Sequence, residues 1–483
     1  MEKDVSQNQI SNYRKAVYFQ NMVESRQVKL QCDGKRNPYS WGILVLIAIA
    51  YLVTVFTPNK FSAPHRVIHW DVKSYYSYLP AYFIDHDIGM TKWEDQYPNY
   101  NKYWPEYVRD DKFVIKTTLG ISIFYAPFFA VAHFLAEPLG YPADGFSKPY
   151  ALALLLSGAI FAWLGLLILQ RFLLRYHCDK VTAATLAILG LASTLYWYAT
   201  FESPMSHSYS FFLFSAFLFL TDKWHERPSW ANSLLLGIVF GMIFLVRPSN
   251  GLVALVFLLY GIKKWSDIPA KIKLFGKYWY HFFIVMAMIG LVMLPQLLYW
   301  KEITGQWIYY SYGSERFFWN SPKIIEVLFG YRKGLFVYTP VFLIALLGMV
   351  GLWKRERGLF WPLALFFAIN IYVISSWWCW WYGGSYGLRA FVESYAFLAV
   401  PIACFLSWAG EKKTAIRIPL YLIVLLLSLR SAFHTVQYYN GVIHYEGMTR
   451  QSFYHTFWKV EPPEDYWDFI EMPDYEQAKK GDR

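Results

Sequence analysis

From Trp41 onward the chain is a succession of apolar runs, about 16–22 residues each and almost free of charge inside. A bilayer core is crossed by about 20 apolar residues in a helix rising 1.5 Å per residue. The runs lie near 41–57, 149–170, 182–199, 208–222, 231–247, 250–262, 281–299, 335–352, 359–377, 390–409 and 418–431. Charged residues make up 16% of the chain, against about 25% in soluble domains. The fold class expected is an all-α polytopic membrane protein with about 11 transmembrane helices.

One further run, Thr117 to Ala136, is long enough to span but contains Pro127 and His133. Loop charge decides its place. If it stays in the interface, Arg171, Arg175, Lys180, Lys223 and Arg227 face the cytoplasm. So do Lys263, Lys264, Lys271, Lys273, Lys277, Lys354, Arg355, Arg357, Lys412, Lys413 and Arg417. If it spans, all of these face outward, against the positive-inside rule. Residues 117–136 are therefore expected to lie in the interface. The resulting plan is a cytoplasmic leader over 1–40, a transmembrane domain over 41–431 and an extracytoplasmic tail over 432–483. The first extracytoplasmic loop, 58–136, carries the interfacial helices. The polar leader is too long for a signal-peptide n-region, so the first run is read as a retained helix.

The excess of 45 Lys+Arg over 34 Asp+Glu needs no nucleic-acid partner, because cytoplasmic membrane loops collect basic residues. Cys32, Cys178, Cys379 and Cys404 are scattered and form no CxxC or Cys/His cluster, so no disulfide framework or zinc site is expected. Asp85 and Asp87 flank His86. A divalent metal can use such a trio, but two Asp and one His in a loop are more often a solvated turn. No metal site or other cofactor is assigned.

Ionisable residues inside a membrane are costly and tend to be functional. Here they avoid the helix centres and gather near the predicted outer ends. The loop sequence His69-Trp70-Asp71-Val72-Lys73-Ser74-Tyr75 begins that layer. Helical spacing places Asp71, Tyr75, Tyr78 and Tyr82 along one face. Asp71 is then either a helix cap paired with Lys73 or a base for an acceptor hydroxyl. Lys116 either snorkels or holds a phosphate. Glu202 and His207 stand five apart in a short outer loop, as a loop acid and a capping histidine or as a second acid–base pair facing Asp71. Arg247, in "VRPSNG", sits where an apolar helix meets Pro248, a position suited to an anion.

The stretch "SWWCWWYGGSYGLRAFVES" has the most unusual composition. Trp381 and Tyr382 fit an aromatic interface belt. Gly383, Gly384 and Gly387 permit a sharp turn or close approach to a ligand. Arg389 follows, with Glu393 one turn on. Glycines, an arginine and aromatic faces suit a phosphate joined to a sugar. A carrier would instead place polar groups near mid-helix, so this layer favours chemistry at one surface over a transporter or flippase.

At these residues the chain resembles the GT-C superfamily of membrane glycosyltransferases, which includes protein O-mannosyltransferases and lipid A aminoarabinose transferases. It looks closest to an uncharacterised bacterial branch. The resemblance covers roughly 41–431. Asp71-Val72-Lys73-Ser74-Tyr75 is similar to the family's Asp-Glu-x-x-Tyr motif, with Val72 in place of the second acid. "KTTLGISIFYAPFF", "ESPMSHSYSFF", "VRPSNG", "GLFVYTP" and "YGGSYGLR" resemble its recurrent patterns in order. The resemblance implies a polyprenyl-phosphate sugar donor and a glycan, lipid or protein acceptor at the extracytoplasmic face of a bacterial inner membrane. Asp71 would be the base, Lys116, Arg247 and Arg389 would hold the donor phosphate, and Tyr75, Trp381, Tyr382 and Glu393 would contact substrate. A scaffold without activity in envelope-glycan assembly is the reading that the missing acid keeps open.

Overall fold

The computed structural model describes residues 37–91, 103 and 105–482. Almost all of the expected leader lies outside them. Among the described residues seven helices are long and apolar enough to cross a membrane, by length and composition: Pro38–Ser62, Gly120–Leu139, Lys148–Leu173, Trp279–Thr304, Arg357–Ser376, Arg389–Gly410 and Thr414–Tyr439. They make this a membrane protein. Gly120–Leu139 is among them, although loop charge assigns it to the interface. Four other expected runs are shorter or broken. The run over 182–199 stops at Leu191 and restarts at Thr194, because the Ser193 side chain turns back to accept from the Leu195 amide. The run over 250–262 is a 3-10 turn, Pro248–Val253, followed by Ala254–Leu259. The run over 335–352 breaks around Thr339 and Pro340. Trp230–Val246 is an unbroken helix of 17 residues. Ser206–Glu226 is longer, but its two ends are polar.

Burial orders the bundle. The apolar window of Arg389–Gly410 is 89% buried, whereas those of Trp279–Thr304 and Thr414–Tyr439 are 11% buried. The first is the central post and the other two face outward. Ser206–Glu226 packs on Lys148–Leu173, and Leu343–Arg355 packs on Tyr395–Gly410. Trp230–Val246 lies against Trp279–Thr304 through Gly237 and Gly241. A Cβ on Gly237 would sit 2.8 Å from the Val285 carbonyl oxygen. Small residues four apart let two membrane helices approach where no hydrophobic force distinguishes helix from lipid.

Three features depart from the sequence expectation. A two-stranded antiparallel hairpin, Pro105–Arg109 with Lys112–Ile115, interrupts the all-α plan. The helix carrying Asp71 ends at Tyr76, and a second runs from Tyr78 to Phe83. The four aromatic and acidic residues therefore share no single face: the Tyr78 hydroxyl donates to the Thr117 carbonyl at 2.6 Å, while Tyr82 is exposed. Finally, residues after Tyr439 do not trail away. Val442, Ile443, Met448 and Phe453 are buried, and the Arg332 guanidinium donates to the Glu446 carbonyl at 2.7 Å.

Candidate functional site

The end of the bundle that carries the 58–116 loop collects most of the predicted residues. Asp71 lies in the first turn of Trp70–Tyr76, after His69 in extended geometry and Trp70 at a positive φ of 44°. Positive φ in a bulky residue is strained, and such strain persists where surrounding structure imposes it. Arg389 opens a 3-10 turn after the loop Tyr382–Leu388. Gly383 and Gly387 have φ of 67° and 57°, the left-handed region that glycine enters without a Cβ penalty. A Cβ at Gly383 would also stand 4.0 Å from Nη2 of Arg389. The two loops bring Arg389 Nη2 to 3.0 Å from Asp71 Oδ2. The carboxylate is 35% exposed and the guanidinium 18%, so the pair is open on one side.

Arg247 enters from a different helix. Pro248 disfavours helical geometry in the residue before it, and Arg247 is extended at φ −156° and ψ 107°. Its Nη1 donates to Glu393 Oε1 at 2.9 Å, and its Nη2 donates to Ser206 Oγ at 3.3 Å. The other Glu393 oxygen lies 3.0 Å from His207 Nδ1. Glu393 is 2% exposed and His207 fully buried. The Tyr75 hydroxyl donates to the same Ser206 oxygen at 3.4 Å. Burying a carboxylate is costly unless it is paired and hydrogen-bonded, and this one has both kinds of partner. Glu393 and His207 thus hold Arg247 in place from a buried position.

Glu202 stands differently. It is half-buried in the turn before Ser206–Glu226, within the electrostatic field of Lys60, His69, Arg389 and Lys333. Among the described residues no hydrogen bond or ion pair engages its carboxylate. Burial holds the His69 imidazole below the usual histidine range, against the pull of Glu202. Val72, at the motif position of the second acid, is 3% exposed and packs in the core. That position looks away from Arg389 here, and Glu202 is the available second carboxylate.

Lys116 is on the rim, bonded to Glu315 Oε1 at 2.5 Å and set 5.3 Å from the Tyr312 ring centroid. Glu315 also accepts from Trp378 Nε1 at 3.1 Å. Tyr382 lies in the field of Arg247, Glu393 and Arg389, and burial pushes its phenol up. Trp381 packs against Tyr475 at 5.4 Å and lies under Arg332 at 5.9 Å. It belongs to the wall behind the site.

Sequence reasoning missed that wall. Lys333 is 1% exposed and donates to the Ser385 hydroxyl at 3.0 Å and to the Ser385 and Tyr445 carbonyls. It clamps the glycine loop to the C-terminal segment directly behind Arg389. Burial outweighs these bonds and pulls its pKa down to about 7, with the Arg389 charge adding to the shift. Tyr475 donates to Glu446 Oε2 at 2.5 Å and closes the same wall. The dipeptide Arg332-Lys333, immediately before "GLFVYTP", was the signal that could have found it.

Each member of the Asp85-His86-Asp87 trio has a partner of its own. Asp85 accepts from Tyr103, Asp87 accepts from Thr91 at 3.2 Å, and the His86 ring turns to the Tyr82 carbonyl. Among the described residues no three His, Cys, Asp or Glu side chains converge. No chemical step is assigned to a metal here.

Fold and site together define a polytopic α-helical membrane protein with a charged, partly open site at one end. No family model matches the chain, and no curated protein does. Among solved structures, it is similar to the apo oligosaccharyltransferase of Archaeoglobus fulgidus, at 12% identity and a TM-score of 0.47. The similarity covers 91% of this chain and 60% of that one.

Proposed function

We propose that this protein is a GT-C-type glycosyltransferase. It moves a sugar from a polyprenyl-phosphate donor to a glycan, lipid or protein acceptor at the extracytoplasmic face of a bacterial inner membrane. In this reading the chain crosses the membrane eleven times, with the N-terminus cytoplasmic and the 58–136 loop and the C-terminal segment outside. The observation that carries it is the ion pair between Asp71 and Arg389, an acid and a cation brought together from two loops and partly open to solvent.

The donor phosphate exchanges with Asp71 for Arg389, and Arg247 adds a second fixed charge. Exchange frees the Asp71 carboxylate beside the anomeric carbon. The acceptor oxygen attacks that carbon from the face opposite the phosphate. Its bond to carbon forms as the carbon–oxygen bond to phosphate breaks, and the electron pair leaves on the phosphate. Asp71 takes the acceptor proton, and the anomeric configuration inverts. Preorganised cations stabilise charge where it develops, and a placed base contributes about 10²–10⁴-fold. Glu202 orients the acceptor hydroxyl, and Lys116 guides the donor at the rim.

The test is Arg389→Ala and Asp71→Asn in membranes supplied with polyprenyl-phosphate sugar. Both variants should be folded and present at normal level, and both should lose transfer. Arg389→Ala should also lose binding of polyprenyl phosphate, and Asp71→Asn should keep it. Unchanged product from Asp71→Asn sinks the assignment of the base.

A further inference from the structure

We propose that the opposite end of the bundle holds a site for one anionic phospholipid, with its phosphate on the lysines around the helix Ile268–Lys277 and an acyl chain in the apolar cavity beneath. This helix has no buried residue. Lys263, Lys264, Lys273 and Lys277 are exposed, and so are Trp265, Ile272 and Trp279. Within 263–279 the only acid is Asp267, and its carboxylate caps the Lys263 and Lys264 amides at 3.0 and 3.1 Å. The helix runs directly into Trp279–Thr304, whose apolar window is 11% buried. Its own level is therefore the boundary between lipid and water. Exposed lysines beside exposed tryptophan and isoleucine are what an interfacial helix presents to anionic headgroups.

Lys271 is the exception. It donates to the Tyr260 carbonyl at 2.7 Å and lies 2.5 Å from His225 Nε2. That inward anchor fixes the roll of the helix and leaves the other lysines turned out.

Beneath the helix is a cavity of about 130 Å³, lined by Phe217, Leu236, Phe240, Phe257, Val285 and Met286 among others. Met286, on its wall, is 64% exposed, so the cavity opens sideways toward lipid. Phe257 stacks on Phe275 of the basic helix, with centroids 5.9 Å apart and planes 6° from parallel. The charged surface and the apolar slot are thus continuous. An apolar cavity of about this size excludes water and accepts an apolar guest. The charge selects the headgroup and the slot retains the chain.

The full-length protein is reconstituted in phosphatidylcholine vesicles with and without phosphatidylglycerol, and co-purifying lipid is read by native mass spectrometry. Phosphatidylglycerol should be retained over phosphatidylcholine by at least about tenfold. Replacing Lys263, Lys264, Lys273 and Lys277 together with Gln should abolish the preference. Ala254→Phe, which fills the cavity, should lower retention of both lipids. Equal retention of the two lipids by the unaltered protein overturns the proposal. So does a preference that survives the four Gln substitutions, or retention that Ala254→Phe leaves unchanged, since the face is then only a general basic surface. The readout is bound lipid, so it stands whether or not sugar transfer is found.

Discussion

At one end of the bundle Asp71 meets Arg389 at 3.0 Å across two loops, with the carboxylate 35% exposed. At the other end Arg175 pairs with both Asp222 and Glu226, and Asp222 also accepts from Tyr176 at 2.6 Å and Tyr260 at 2.7 Å. Asp222 is completely buried. Both ends hold paired charges close to apolar helices, so pairing alone does not mark a site. The difference is in what remains open. The Asp222 cluster is closed off from solvent, with its carboxylate paired to Arg175 and bonded by two tyrosine hydroxyls, and serves as a clasp. The Arg389 cluster keeps a partly exposed carboxylate and, among the described residues, a Glu202 nearby with no hydrogen bond or ion pair.

The largest expected effect tests that contrast directly. Asp71→Asn should cut transfer by about 10²–10⁴-fold without shifting thermal unfolding in detergent. Asp222→Asn should do the opposite. Breaking a buried ion pair from one side costs about 3 kcal/mol or more, so its unfolding temperature should fall while the surviving folded fraction keeps its KM. Equal loss of activity from both variants would erase the distinction between site and clasp.

A smaller effect sharpens the role of the wall behind Arg389. In the folded chain Lys333 releases its proton near pH 7, against an ordinary value of 10.5. Between these two values the unfolded state holds more protons, so this group makes stability rise with pH across the window. The stability difference between the unaltered protein and Lys333→Met should therefore move in favour of the unaltered protein as pH rises from 7 toward 10.5. Parallel pH curves would show that Lys333 carries no such shift.

The smallest effect belongs to the rim. Lys116 and Glu315 are both partly exposed, and such pairs contribute about 0–1 kcal/mol. Lys116→Ala should raise KM for the polyprenyl donor by a few-fold, roughly 1 kcal/mol or less, with kcat nearly unchanged. A large fall in kcat would move Lys116 from the rim to the reacting centre.

Much of this molecule is legible in one dimension. Apolar runs dictate helices, because a backbone in lipid must satisfy its own hydrogen bonds. The helix break at Arg247 follows from Pro248, and the loop before Arg389 follows from Gly383 and Gly387. The layer of Asp71, Glu202, His207, Arg247, Arg389 and Glu393 was visible because charge is scarce elsewhere near the helices. Which of these groups meet was not visible. The sequence placed His207 and Glu202 together as acid–base candidates, yet His207 is spent on Glu393 and Glu202 is not. Trp381 stood beside Tyr382 in the chain and packs on Tyr475 of the C-terminal segment in the fold. Lys333, Glu315 and Glu446 sat in segments that read as loop and tail. Local propensity and solvation act between near neighbours and can be read from residue order. Pairings such as Asp71 with Arg389 join segments most of the chain apart, and only the packing order of the helices between them decides that they touch.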